Sequence, residues 1–151
     1  MESHRLVIYV EIQGVVRWTV HLDELADEDP PVFVTDPCDS ESWIEESRAV
    51  SIFALSQMLL GVKFSESTRY TANGQANDSS LPAIAQSYER LGLPDLNWPP
   101  GPTRIYGGRD LVIETDGDTW IWVSARSIVA FRNAVDLIER TGVTWEQVTE
   151  P

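Results

Sequence analysis

Arg5-Leu6-Val7-Ile8-Tyr9-Val10-Glu11-Ile12 runs through Gln13-Gly14 into Val15-Val16-Arg17-Trp18-Thr19-Val20-His21. The first run is rich in the β-branched and aromatic residues that suit a pleated, half-buried surface. In the second, Val16, Trp18 and Val20 alternate with Arg17, Thr19 and His21, which puts one set on a core and the other towards water. Two such runs around a glycine-bearing turn predict a β-hairpin.

Working outward, Asp27 to Pro31 is acidic and ends in Pro30-Pro31, followed by a short strand at Val32-Phe33-Val34 closed by Asp36-Pro37. Pro31 has no N–H to give a ladder, so it marks a strand start or an edge. From Ala49 the period changes, with Ile52, Leu55, Met58, Leu59 and Val62 at helical spacing, Ser47 as N-cap and Gly61 near the end. That stripe, with its Met and Phe, is expected to be a main part of the core. The residues 73–80 form an expected polar loop, with Ser80 capping a second helix that runs through Ile84, Tyr88 and Leu91 to Gly92. Pro82 suits an early helical position, where a missing N–H costs nothing.

Leu96-Asn97-Trp98-Pro99-Pro100-Gly101-Pro102 is an extended connector, because its Pro/Gly cluster cannot be helix or central strand. Strands follow at Thr103–Tyr106, Leu111–Thr115 and Thr119–Val123, the last two joined by the turn residues Asp116-Gly117-Asp118. A last helix from Ser127 to Arg140 carries Ile128, Phe131, Val135 and Ile138, and stops near Gly142. Strands grouped rather than alternating with helices predict an α+β fold, a largely antiparallel twisted sheet packed with about three helices in a single domain over residues 1–151.

Composition bounds the function. The 151 residues carry 24 Asp+Glu against 11 Lys+Arg, a formal net charge of -13. Phosphate binding requires a concentrated positive surface, so neither nucleic acid nor an anionic membrane is an expected partner. No apolar run approaches the ~20 residues of a membrane helix, the N-terminus lacks the pattern of a signal peptide, and Cys38 is the only cysteine. No disulfide within the chain can form, and a cytoplasmic protein is expected.

The charge has an address. Between Arg17 and Arg48 there are ten acids (Asp23, Glu24, Asp27, Glu28, Asp29, Asp36, Asp39, Glu41, Glu45 and Glu46) and no Lys or Arg, leaving fourteen acids and eleven bases elsewhere. Such a stretch is either a solvated face or a docking surface for a basic protein, whose approach it would speed by roughly 10- to 1,000-fold. The candidate partner-binding residues are Asp27, Glu28, Asp29, Asp36, Asp39, Glu41, Trp43, Glu45 and Glu46.

Catalytic residues are not expected. The two histidines, His4 and His21, fall on a terminus and on the polar side of the hairpin, and none of the nucleophile-elbow, zinc-helix or phosphate-loop motifs occurs. Cys38 lies among acids, which disfavour its thiolate. Glu114, Asp116 and Asp118 gather three carboxylates at one hairpin, but their spacing matches no ion-binding loop and nothing in the sequence marks one as desolvated; neither a metal nor a cofactor is expected. Trp120 and Trp122, two apart on a strand, share a face that would serve a small-molecule binder or an enzyme, the alternative to protein binding.

The ordered set of these pieces resembles the SUKH superfamily, the Smi/Knr-type proteins. The run Leu6 to Trp18 is similar to that family's strand-turn-strand with the pattern Glu-Asn-Gln-Gly-Val-x-x-Trp, and Asp29-Pro30-Pro31-Val32-Phe33-Val34 to its Asp-Pro-Pro-Val strand. Trp43 and Glu46 ahead of Val50-Ser51-Ile52-Phe53, then Trp98-Pro99, Thr103-Arg104-Ile105-Tyr106-Gly107 and Trp120-Ile121-Trp122, continue the likeness in order, over about residues 6 to 145. The resemblance implies a SUKH-like α+β fold and a non-enzymatic binding role. Many bacterial members are immunity proteins that neutralise a cognate toxin, often a nuclease, while eukaryotic relatives regulate cell-wall synthesis. A regulatory or scaffold protein of the same fold is therefore a second implied role. Two departures stand out: Ile12 occupies the Asn position, and since relatives usually carry a further helical segment before the first strand, the domain is expected to be short at its N-terminus for this family. An uncovered strand edge invites pairing, so a homodimer or partner contact is expected near Leu6 to Val20.

Overall fold

In the computed structural model, residues 4–150 are described apart from 12, 13, 15, 37, 38, 66, 67 and 98–100; for Asp36, residues 39–41 and Phe64 only the backbone is described. Cys38 and Trp98 thus lie outside the described residues.

The opening hairpin is present: β1 (Arg5–Val10) pairs antiparallel with β2 (Arg17–His21), Leu6 opposite Val20. β3 (Val32–Asp36) adds to β2, and β4 (Asp39–Ser47) adds to β3, giving a four-stranded meander in the order β1-β2-β3-β4. Pro31 stands just before a central strand, so of its two expected meanings the strand start applies. One face of this sheet is apolar: Trp18, Val20, Val32 and Val34 are buried with Val16 and Phe53. Phe53 comes from α1 (Val50–Gly61), its ring 5.9 Å from Trp18 and 6.1 Å from Tyr9.

The second sheet has the order β6-β7-β8-β5-β9, all antiparallel, from β5 (Tyr70–Gln75), β6 (Thr103–Gly108), β7 (Leu111–Asp116), β8 (Trp120–Ala125) and β9 (Trp145–Thr149). The β7–β8 turn places Gly117 at φ 57°, which Gly adopts without a Cβ penalty. α2 (Ser80–Ser87) and α3 (Ile128–Glu139) cover one face of this sheet. Ile84 of α2 and Phe131, Ala134, Val135 and Ile138 of α3 are buried against Ala72, Ile113, Ile121 and Val123. Ser127 caps α3 by accepting from Ala130 N–H, and Gly142, at φ 90°, turns the chain out of it.

The α+β class stands, with two antiparallel sheets and three α-helices among the described residues, but several expectations do not. There are two sheets, not one. β4 occupies the end of the acidic stretch, where no strand is expected from the sequence, because Ser42, Ile44 and the alternating Trp43 and Glu45 can line a ladder even though Asp and Glu are poor strand formers. β5 includes Asn73, Gly74 and Gln75 of the expected polar loop, since two neighbours, β8 and β9, hold both of its edges. Gly74 there is a matter of space: a Cβ would stand 2.8 Å from the Thr144 carbonyl oxygen. α2 ends at Ser87, before Tyr88 and Leu91.

α1 departs furthest. Its N-cap is Ala49, with no side-chain bond, and the Ser47 hydroxyl instead donates to the Ala49 carbonyl. The remote Asp29 supplies the cap, its oxygens accepting from Ser51 N–H (2.9 Å) and the Ser51 hydroxyl. Nor does the expected stripe face the core. Phe53 and Ser56 are the buried positions, while Leu55 is 48% and Met58 72% exposed. The helix is apolar on nearly every side, so periodicity could not say which side faces inward.

Candidate functional site

The nine candidate residues are separated by the pleat of β4. Thr35 pairs with Trp43 and Phe33 with Glu45, so Trp43 and Glu45 share one face; Val34 pairs with Ile44, which with Glu46 belongs to the other. Glu45 is exposed on the open face. Trp43 is half-buried beside an unexpected cation: the Arg5 guanidinium carbon lies 4.8 Å from the Trp43 ring centre and 4.7 Å from that of Phe33. The stretch without a base in the sequence thus acquires Arg5 from β1, the opposite edge strand of the sheet, held by two aromatic faces.

Glu46 is only 3% exposed. One of its oxygens accepts from Trp18 Nε1 at 3.4 Å and the other from the backbone N–H of Asn97 at 2.8 Å, while the Asn97 side chain donates to the Glu45 carbonyl at 2.9 Å. Glu46 therefore ties the first sheet to the connector that leads into β6. Glu46→Leu is expected to lower stability by about 1–3 kcal/mol, because buried donors lose their acceptor. Glu45→Leu, one residue away on the opposite, exposed face of the strand, should stay within about 0.5 kcal/mol. Chemical denaturation of the two variants side by side is the check.

Asp27 and Glu28 are exposed in the turn ahead of β3. Asp29 is exposed too but occupied as the α1 cap, and the Ser51 hydroxyl and N–H hold its carboxyl below its ordinary range. Asp36 and Asp39 pair across β3 and β4, and Glu41 follows on β4; their side chains are not described. The exposed, uncommitted acids among the described candidates are Asp27, Glu28 and Glu45.

A second charged cluster was not legible in the sequence. Glu114 on β7 is buried, and both its oxygens lie 2.8–2.9 Å from Nζ of Lys63, the only lysine in the chain. Lys63 also stands 4.6 Å over the Trp122 ring, whose Nε1 donates to Asp116 at 3.2 Å. Burial pushes the Glu114 carboxyl up to about 8, with Asp116 adding to the shift and Lys63 opposing it. Nothing in the sequence marks a hairpin carboxylate as desolvated, and the structure shows that Glu114 is one. The missed signal was the unbroken apolar run Leu111-Val112-Ile113 leading into Glu114, the pattern of a strand buried on both faces. Trp122 is engaged by Lys63 and Asp116, so the Trp120/Trp122 face is not an open platform. A cleft of about 410 Å³ does open between α2 and β6, lined by Asn77, Asp78, Leu81, Arg104, Tyr106 and Asp118 among others, but neither Glu114 nor His21 lines it. His21 instead accepts from Asp23 N–H at 3.4 Å. Among the described residues, no three His, Cys, Asp or Glu converge as metal ligands would, and no helix is long and apolar enough to cross a membrane.

No family model, curated protein or solved structure matches this chain.

Proposed function

We propose that this chain is a non-enzymatic protein-binding module of SUKH type, an immunity protein that neutralises a basic toxin such as a nuclease. One observation carries the reading: ten of the thirteen net negative charges belong to residues 18–47, and Asp27, Glu28 and Glu45 of that stretch are exposed. Carboxylates can occupy a site built for phosphates, and a partner that cleaves nucleic acid presents such a site. Trp43 beside Glu45 adds the large aromatic surface on which interface hot spots are built. Glu46 and Asp29 serve the fold and are left out of the docking set.

The test is a titration of the chain against a purified basic nuclease encoded beside its gene, at rising salt. Asp27→Lys with Glu28→Lys is expected to weaken binding at least about tenfold and to flatten its salt dependence, since rim charges act on association and screening. Unchanged affinity and slope would contradict the docking role. A neighbourhood with no toxin gene would favour a regulatory or scaffold protein instead.

A further inference from the structure

The Arg5 side chain makes a contact that its own strand does not explain. β1 is an edge of the first sheet, two strand spacings or about 10 Å from β3, yet the Arg5 guanidinium stands over Phe33 of β3 and Trp43 of β4. The side chain therefore crosses β2, and a stretched arginine gives up most of its rotamer freedom. The contact is also incomplete. Among the described residues the guanidinium has neither an ion pair nor a hydrogen bond, and its Nη1 is hidden from water. Thr19, directly opposite Phe33 and so on the same face, is fully buried with its hydroxyl unpartnered.

Two rings that flank a guanidinium are a recognition site for one. The ring centres of Phe33 and Trp43 lie 4.7 and 4.8 Å from the guanidinium carbon, inside the about 6 Å over which an aromatic face attracts a cation. Glu45 stands exposed beside them, opposite Phe33 in the β3–β4 ladder, and Arg5 makes no ion pair with it. A cation arriving from solvent has access to both rings and to the carboxylate.

We infer that Arg5 is a place-holder, and that Phe33, Trp43 and Glu45 together take an arginine side chain of a basic protein partner, which displaces Arg5 from the rings. The inference rests on the reading of the acidic stretch as a docking surface, and adds what anchors there and what holds the site shut. An arginine suits it better than a lysine. The planar, weakly hydrated guanidinium stacks on rings and forks onto a carboxylate, whereas an ammonium is a compact, strongly hydrated charge. The exchange leaves the charge over the rings unchanged, because one guanidinium departs as another arrives. The newcomer gains the bond to Glu45 that Arg5 lacks, and Nη1 of Arg5 regains water. Until then, occupancy by Arg5 lowers the apparent affinity by the fraction of molecules whose site is open.

Isothermal titration calorimetry of the full chain with hexaarginine and with hexalysine, at about 0.15 M NaCl to screen distant charges, is the test. Hexaarginine is expected to bind at least about fivefold more tightly than hexalysine. Arg5→Gln should tighten hexaarginine about tenfold, the release of a site held shut about nine times in ten. Arg109→Gln, the same loss of charge on the exposed turn between β6 and β7, should change it less than about twofold. Trp43→Leu should bring the two peptides to within about twofold of each other. Glu45→Gln, an exposed change that reads the site should Trp43→Leu not fold, should weaken hexaarginine at least about threefold. Equal affinity for the two peptides, a preference that survives Trp43→Leu, or an Arg5→Gln variant that binds no better than Arg109→Gln would each overturn the inference. A neighbouring nuclease that fails to bind while the peptide results hold removes the toxin and leaves the arginine site. A nuclease bound through Asp27 and Glu28 with no dependence on Arg5 or Trp43 removes the arginine site and leaves the toxin.

Discussion

Lys63→Met is expected to cost about 3 kcal/mol of folding stability at pH 9, because removing one partner of a buried ion pair leaves the other charge uncompensated. The charge left behind is Glu114, buried and beside Asp116. At pH 6 the loss should be smaller, since the Glu114 carboxyl, raised from 4.5 to about 8, already holds its proton in the folded wild type. The direction follows from proton binding. Between those values the native state binds the proton and the unfolded state does not, so the Glu114 contribution to stability is full below 4.5 and is lost as pH rises through about 8. Glu114→Gln should remove that slope, and Lys63→Met combined with Glu114→Gln should recover most of the single-variant loss, as coupled residues do. Urea denaturation of the three variants between pH 5 and pH 9 reads all of this. Equal losses for Lys63→Met at both ends of the range would show that the pair is not what it opposes.

Phe131→Ala is expected to cost about 4 kcal/mol, the range for a large aromatic removed from a close-packed core. Phe131 is fully buried and its ring lies 5.8 Å from that of Tyr70, so the α3–β5 contact cannot close over the void without moving the helix. A loss of that size lowers the melting temperature by roughly 10–15 °C in a chain of this length. Val129, on the same helix but 65% exposed, is the internal control: Val129→Ala should change the melting temperature by no more than about 2 °C.

How much could be read in advance depended on how locally each element is determined. The hairpins β1–β2 and β7–β8 and the stripe of α3 carry their own instructions: alternation, an Asp116-Gly117 turn, a Ser127 cap and a Gly142 stop. β5 and β9 do not. Asn73, Gly74 and Gln75 have poor strand propensity, and what makes them a strand is pairing with β8 and β9, residues far along the chain. α1 was legible as a helix but not in its orientation, because apolar residues around the whole circumference give no preferred side. The acidic stretch was legible as charge, whereas its division was not. The pleat that exposes Glu45 and buries Glu46, and the arrival of Arg5 between Phe33 and Trp43, belong to tertiary structure.

The place of β5 between β8 and β9 also sets the order in which the chain can be built. Each strand of the first sheet pairs with its neighbour in sequence, so that sheet can close as soon as residues 5–47 exist. β5 must wait for Trp120 and beyond, a delay of several seconds at ribosomal speeds of about 5–20 residues per second. During that interval Tyr70–Gln75 has neither neighbour, and the weak strand propensity of its Asn-Gly-Gln end becomes an advantage: a segment reluctant to be a strand on its own is reluctant to become one with the wrong chain.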